Sequence, residues 1–337
     1  MSRSNRFLIL VPVVLSLCLA APAYAGDALQ GPSFSDPSQT FSMPREWIER
    51  PIRHEKWAGK ADIAVTLEQD VYQMILPLIE RFAKERGIKI AVKKGTCGMA
   101  AGMLSRKAID IGGFCCPPSR EDRLPGLKFH TLGIVSIAFL VNPANPVESI
   151  SAKKLRMIFR GQFYKWSQLT AADGRPGPPL EIKPVGRLHC PLRPGHWRLL
   201  LDNSDLFSPR LQEVGSIPDM IARVARNRGA IGWETLGMAE YYRNYGMVKP
   251  IRVGGLSPAD TSAIATGMYP FYRVYNLTTW DGRNVENRDA RALVTYLTKV
   301  LEDRGPSGLG FVPASMLRKA GWKFRGDELI GGPGGKR

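Results

Sequence analysis

Between residues 61 and 116 short apolar runs alternate with amphipathic ones, and this alternation restricts the fold more than any other feature of the chain. Ala61-Asp62-Ile63-Ala64-Val65 reads as a strand. Tyr72 to Arg86 reads as a helix, with Ile75, Leu78, Ile79 and Phe82 on one face and Gly87 as its stop. Ile88 to Val92 reads as a second strand, a helix follows from about Gly98 to Arg106, and Ile109 to Phe114 is a third strand. Strands separated by helices pair in parallel, so the sequence predicts an α/β sheet.

The cysteines fall at the ends of such runs. Cys97 lies in Gly95-Thr96-Cys97-Gly98, just after the second strand. Cys115 and Cys116 follow the third strand and precede Pro117-Pro118. Cys190 lies in Arg187-Leu188-His189-Cys190-Pro191, after the strand-like Ile182-Lys183-Pro184-Val185. In open α/β sheets the loops beyond the carboxyl ends of the strands form the ligand crevice. The sequence therefore predicts a crevice rich in sulfur.

The first residues point to export. Arg3 and Arg6 precede an apolar stretch from Phe7 to Ala20, and Ala23-Tyr24-Ala25 supplies small residues at a cleavage spacing. Residues 1–25 read as a secretory signal peptide cut before Gly26, which places the mature protein in the periplasm. The stretch is short for a membrane span, and no later segment offers ~18 uninterrupted apolar residues. Cys18 follows the bulky Leu17, which argues against lipidation. Cleavage removes two arginines from a chain of net charge +17, leaving +15 and four of the five cysteines. The basic residues are dispersed, without a run of five and without a zinc-finger or RNA-binding motif, which argues against nucleic acid. The charge instead suits anionic lipid heads, a protein partner or an anionic solute. No G-x-S-x-G, H-E-x-x-H or Walker sequence is present, and nothing in the chain argues for an enzyme.

Later phrases carry a resemblance. They are Asn142-Pro143-Ala144-Asn145-Pro146-Val147, Ile158-Phe159-Arg160-Gly161 with Trp166-Ser167-Gln168-Leu169, Gly229-Ala230-Ile231-Gly232-Trp233, and Tyr269-Pro270-Phe271. Ala108-Ile109-Asp110-Ile111-Gly112 joins them upstream. In order and spacing, residues 60 to 320 resemble the periplasmic phosphate-binding-like (type II) solute-binding proteins. The resemblance implies two α/β lobes, each a mixed sheet flanked by helices, with a solute bound between them. It implies crossovers near Phe139–Asn142 and Gly229–Glu234. The expected division is a leader at 26–60, one lobe at 61–139 plus 236–325, a second at 140–235, and a flexible tail at 326–337. Trp166 and Trp233 are expected at the lobe interface. The implied partners are a small inorganic solute and an ABC permease or membrane sensor, with the protein itself a monomer.

The departures from the family are as informative as the match. Its phosphate loops use hydroxyls, helix N-termini and an arginine–aspartate pair. After the first strand this chain has Thr66-Leu67-Glu68-Gln69-Asp70, whose carboxylates repel an oxyanion. Gly95-Thr96-Cys97-Gly98 stands for a Gly-Ser-Gly loop, and Cys115-Cys116-Pro117-Pro118 precedes Ser119-Arg120. Arg187-Leu188-His189-Cys190 stands where an Arg-x-x-x-Ser-Gly-Thr loop is usual. The candidate ligand residues are thus Thr96, Cys97, Gly98, Cys115, Cys116, Ser119, Arg120, Arg187, His189 and Cys190. Thiolates favour Zn(II), Cu(I), iron–sulfur clusters or trivalent arsenic, so Cys97, Cys115, Cys116 and Cys190, with His189, form a candidate site for a soft metal or metalloid ion. No C-x-x-C pair supports this by spacing alone. Four cysteines in an exported chain equally allow three disulfide pairings, or reduced thiols beside another ligand. Two functional alternatives stay open: an oxyanion-binding transport component with structural disulfides, and a periplasmic redox or metal-handling protein without a transport role.

Overall fold

The computed structural model describes residues 34–169, 176–188 and 196–333. The signal peptide expected at 1–25 lies outside them. The three strands of the first alternation form β1 (Ile63–Glu68), β2 (Ile90–Gly95) and β3 (Ile111–Phe114). As expected they are parallel, with β1 in the middle. Every residue of β1 is buried, Thr66 and Glu68 included, as in a strand covered on both faces. Of the segment expected as an extended leader, 26–60, the described residues 34–60 include a helix packed along this lobe. This short helix, α1 (Arg45–Glu49), seats Trp47, whose Nε1 donates to Ser105 O at 2.6 Å.

Local chemistry sets the helix boundaries. Helix α2 (Gln69–Arg86) starts where the Glu68 side chain accepts from Asp70 N at 2.9 Å, and it stops at Gly87, which turns into the left-handed region at φ 64°. Thr96 Oγ1 accepts from Met99 N at 3.2 Å and so starts α3 (Cys97–Ser105). Ser151 caps α4 (Ala152–Phe159) in the same way, as its position predicts. Helix α5 (Ile217–Arg226) starts at Ser216.

The long apolar run becomes β4 (Leu127–Val141), and it belongs to both halves of the molecule. Its first part pairs antiparallel with β10 (Tyr272–Trp280), from Leu127 to Ser136. Its last five residues, Ile137–Val141, pair with β8 (Ala230–Thr235). Beyond β8 lie β6 (Lys183–Gly186) and β7 (Gln212–Glu213), giving the order β2-β1-β3-β10-β4-β8-β6-β7. Strands β5 (Ser149–Ile150) and β9 (Lys249–Val253) pair with each other, and β9 also pairs with Phe139–Val141. Residues 249–253 thus fall inside the stretch expected in the first lobe yet join the sheet of the second. Helices α6 (Leu236–Tyr241), α7 (Thr261–Ala265), α8 (Arg288–Arg304) and α9 (Ala314–Lys319), with the short strand β11 (Phe311–Pro313), complete the packing. Within the stretch expected as a flexible tail, Glu328–Gly331 forms β13, paired with β12 (Lys323–Arg325), because Leu329 is buried there.

Two large cores result. The first gathers Ile63, Val65 and Leu67 of β1 with Ile75, Ile79 and Phe82 of α2 and Leu293 and Leu297 of α8. The second is aromatic: Phe139 meets Phe271 edge-on at 4.9 Å, and Phe159 meets Trp233 likewise at 4.9 Å. Trp166 and Trp233, expected at the lobe interface, are instead fully buried in this second core. Trp166 Nε1 donates to Gly229 O at 3.0 Å, a bond that an indole buried in apolar surroundings needs. Gly186 lets β6 pass directly over the Trp233 ring, where a Cβ would overlap the indole carbons. Gly186→Ala is expected to cost about 1–3 kcal/mol by overpacking, measured as a lower urea midpoint. An unchanged midpoint would mean that the indole has room to move.

Candidate functional site

Two groups of side chains meet near the carboxyl ends of β1, β2 and β3, and the first is made of sulfur. Cys97 is the opening residue of α3, fixed by the Thr96 cap, and Cys115 and Cys116 leave β3 just before two prolines that cannot continue a ladder. Cys97 Sγ lies 3.5 Å from Cys115 Sγ, which lies 3.9 Å from Cys116 Sγ. All three sulfurs are buried within 4.8 Å of one another. A tetrahedral ion with sulfurs at about 2.3 Å holds them about 3.8 Å apart, close to the spacings seen here. No disulfide joins these three cysteines; the shortest separation, 3.5 Å, is a contact between thiols. The Cys115 N–H donates to Cys97 Sγ at 3.4 Å. The Cys116 carbonyl accepts from Asn276 Nδ2 at 3.1 Å, Asn276 Oδ1 accepts from Thr131 Oγ1 at 2.7 Å, and Thr131 Oγ1 accepts from Leu329 N at 2.9 Å. The thiol loop is thereby tied through β10 and β4 to β13.

The second group is a buried chain of charges. Arg273 on β10 puts Nη1 against Asp70 Oδ2 and Nη2 2.5 Å from Glu234 Oε1. Glu234 Oε2 lies 3.4 Å from Arg187 Nη1 at the end of β6. Glu68, whose carboxylate caps α2, stands beside them, and none of the five is more than 6% exposed. Three carboxylates thus face two guanidiniums. Burial lifts the Asp70 carboxyl well above the usual range, against the pull of Arg273 and with the repulsion of Glu68 and Glu234. Burial raises Glu68 too. Burial works against the charge on Arg273, but Asp70 and Glu234 hold its guanidinium charged more firmly than usual. Asp70 Oδ1 and Arg273 Nε have no hydrogen-bond partner among the described residues. A cavity of about 450 Å³, lined in part by Met74, Met238, Tyr275 and Phe311, lies beside Asp70.

The two groups act on each other. A hydrogen bond with Cys115 favours the Cys97 thiolate, but the bond with Cys116, burial and the charges of Cys116 and Glu68 outweigh it and hold the thiol well above its usual range. Cys115 is raised by the same balance, with Cys116 as the partner that favours its thiolate.

The other sequence-based candidates divide clearly. Arg187 joins the charge chain. Ser119 is occupied as a cap, with its N–H and Oγ both donating to Asp122 Oδ2 at 2.9 Å, while Arg120 and Gly98 are exposed. Thr66 Oγ1 donates to Met103 Sδ, and Thr96 Oγ1 accepts from Met99 N as a cap. His189 and Cys190 lie outside the described residues. Sequence reasoning missed Arg273, Glu234 and Asn276. Each is a polar residue in a fully buried strand, and such a residue needs a partner there.

Two changes probe the charge chain. Arg273→Met leaves Asp70 and Glu234 without their shared cation and is expected to cost about 3–5 kcal/mol in urea unfolding. A smaller loss would mean that protonation or water makes good the charge. Glu68 binds its proton more tightly folded than unfolded, so its contribution to stability is complete below the unfolded value of about 4.3 and is lost as pH rises through the folded value. The urea midpoint of Glu68→Gln should therefore rise relative to the parent as pH increases from about 4 to 8; a constant difference would remove Glu68 from the linkage.

Comparison with known proteins agrees with this architecture. No curated protein matches the chain. Among solved structures, an ABC-type phosphate transport receptor from Vibrio cholerae superposes with a TM-score of 0.57 at 20% identity, covering 74% of this chain and 99% of its own. A phosphate ABC transporter substrate-binding protein with bound phosphate, from Clostridium perfringens, gives 0.60 at 15% identity, covering 80% and 98%. Both are two-lobed binding proteins, and at these identities they establish the fold alone. Residues 55–299 match the family model described as a PBP superfamily domain, and the chain belongs to that superfamily, with the fold of its phosphate-binding-like type II solute-binding proteins.

Proposed function

We propose that this protein is an exported, periplasmic solute-binding protein that takes a thiophilic inorganic solute, a soft metal ion or metalloid, into its inter-lobe cleft. The observation that carries the reading is the set of three buried sulfurs, Cys97, Cys115 and Cys116, all within 4.8 Å of one another. Soft sulfur donors in this number suit a soft centre. The surroundings favour it over an oxyanion, because carboxyl groups outnumber guanidiniums and the hydroxyls of Thr66 and Ser119 already donate, to Met103 Sδ and Asp122 Oδ2. Thr96 and Ser119 act here by fixing the thiol loops. Cys190 and His189, which follow Arg187 in sequence, lie outside the described residues.

In this reading the solute favours the closed arrangement of the lobes, and hinge closure follows from contacts that only the closed state makes. Arg187 and Glu234 approach from the second lobe, Asp70 and Arg273 from the first. The two structural neighbours described as ABC transport proteins support an ABC permease as partner, and a membrane sensor would use the same closure.

The test is thiol counting on anaerobically purified, reduced protein, with arsenite, Zn(II), Cu(I) or phosphate added separately. At least one soft probe should protect Cys97, Cys115 and Cys116 from alkylation in a one-to-one complex, phosphate should not bind, and Cys97→Ser should abolish the protection at micromolar probe. Micromolar phosphate binding by protein whose cysteines are all oxidised, with no bound metal, would overturn the reading.

A further inference from the structure

The thiol site proposed above, on which this inference rests, shares its interior, among the described residues, with Glu68, Asp70 and Glu234 and with Arg187 and Arg273. Glu68 lies opposite Gly95 in the parallel register of β1 and β2, two residues before Cys97. The charge left after binding therefore distinguishes one soft solute from another. Three thiolates around Zn(II) carry one net negative charge, and three around Cu(I) carry two. Either puts net negative charge beside the Glu68 and Asp70 carboxyls, in a region shut off from water where unpaired charge is expensive. Three thiolates around a trivalent centre carry none.

We propose that Cys97, Cys115 and Cys116 select an uncharged trivalent metalloid hydroxide, arsenous or antimonous acid, over Zn(II) and Cu(I), and hold it as a neutral three-sulfur centre. The exchange balances without an oxidant or base. Three As–O bonds break and three As–S bonds form, and each thiol proton leaves with a hydroxyl group as water. Arsenic stays trivalent and no electron moves. The three sulfurs supply the full donor set of such a centre, and their separations of 3.5 and 3.9 Å put them around a single atom rather than in separate sites. An incoming neutral hydroxide also sheds no ionic hydration shell on entering this buried place.

Intact reduced protein is mixed with arsenite, Zn(II) or Cu(I), and three quantities are followed: native mass, competition between the probes, and acid released in a pH-stat. Arsenite should add one arsenic and remove three hydrogens without releasing acid, whereas Zn(II) displaces thiol protons into solution. Arsenite should win the competition by at least tenfold, about 1.4 kcal/mol. Cys190→Ser should keep the three-hydrogen signature and Cys116→Ser should lose it. If Zn(II) or Cu(I) binds and arsenite cannot displace it, the selectivity is wrong while the soft site stands. If no probe protects a thiol, the proposed function fails as well. Loss of the signature in Cys190→Ser, or its survival in Cys116→Ser, would overturn the assignment of these three sulfurs.

Discussion

One guanidinium governs the centre of this molecule. Arg273 enters from β10 with Asp70 of α2 on one side and Glu234 of β8 on the other, all nearly out of reach of water. Such an arrangement adds little net stability, because desolvating the ions offsets most of their attraction. What it does supply is position. Helix α2, strand β10 and strand β8 come from distant parts of the sequence, and a shift of any one would strand a charge in the interior. The thiol loop after β3 lies beside the same strand β10, so its place is set by the same constraint.

Much of the first lobe was legible in the sequence because its signals are local. The periodicity around Ile75 and Ile79, the stop at Gly87 and the apolar runs before each cysteine need no knowledge of the rest of the chain. The sulfur cluster was legible for the same reason, since strand ends in such sheets converge. The charge chain was not. Residues 70, 187, 234 and 273 meet only because β4 is shared between the two sheets and β8 and β10 flank it. The remaining clue was the lone charge, Glu234 or Arg273, in each of two strands rich in apolar and aromatic residues. The tryptophans show the opposite error: Trp166 and Trp233 suggested an interface by size alone, and the close packing of the second core absorbed them.

The fold keeps the crevice of its family while giving its polar groups other work. Thr96 and Ser119 occupy loops where hydroxyls would face a solute, yet both cap helices, and Thr66 turns to a methionine sulfur. Beside these engaged groups, three buried sulfurs stand next to a cluster of carboxyl groups. Backbone architecture and ligand chemistry are separable to this degree in a site built at strand ends.

The hydrogen-bond line from Cys116 through Asn276 and Thr131 to Leu329 links the thiol loop to a strand more than two hundred positions further along the chain. A polypeptide that emerges from its amino end first can lay down β1, β2 and β3 early, but it cannot complete this line until β13 has appeared and docked. During that interval three neighbouring thiols would sit in a half-built lobe, open to oxidation. In this protein the order of synthesis therefore creates a period of chemical vulnerability, which closes only when β13 has docked.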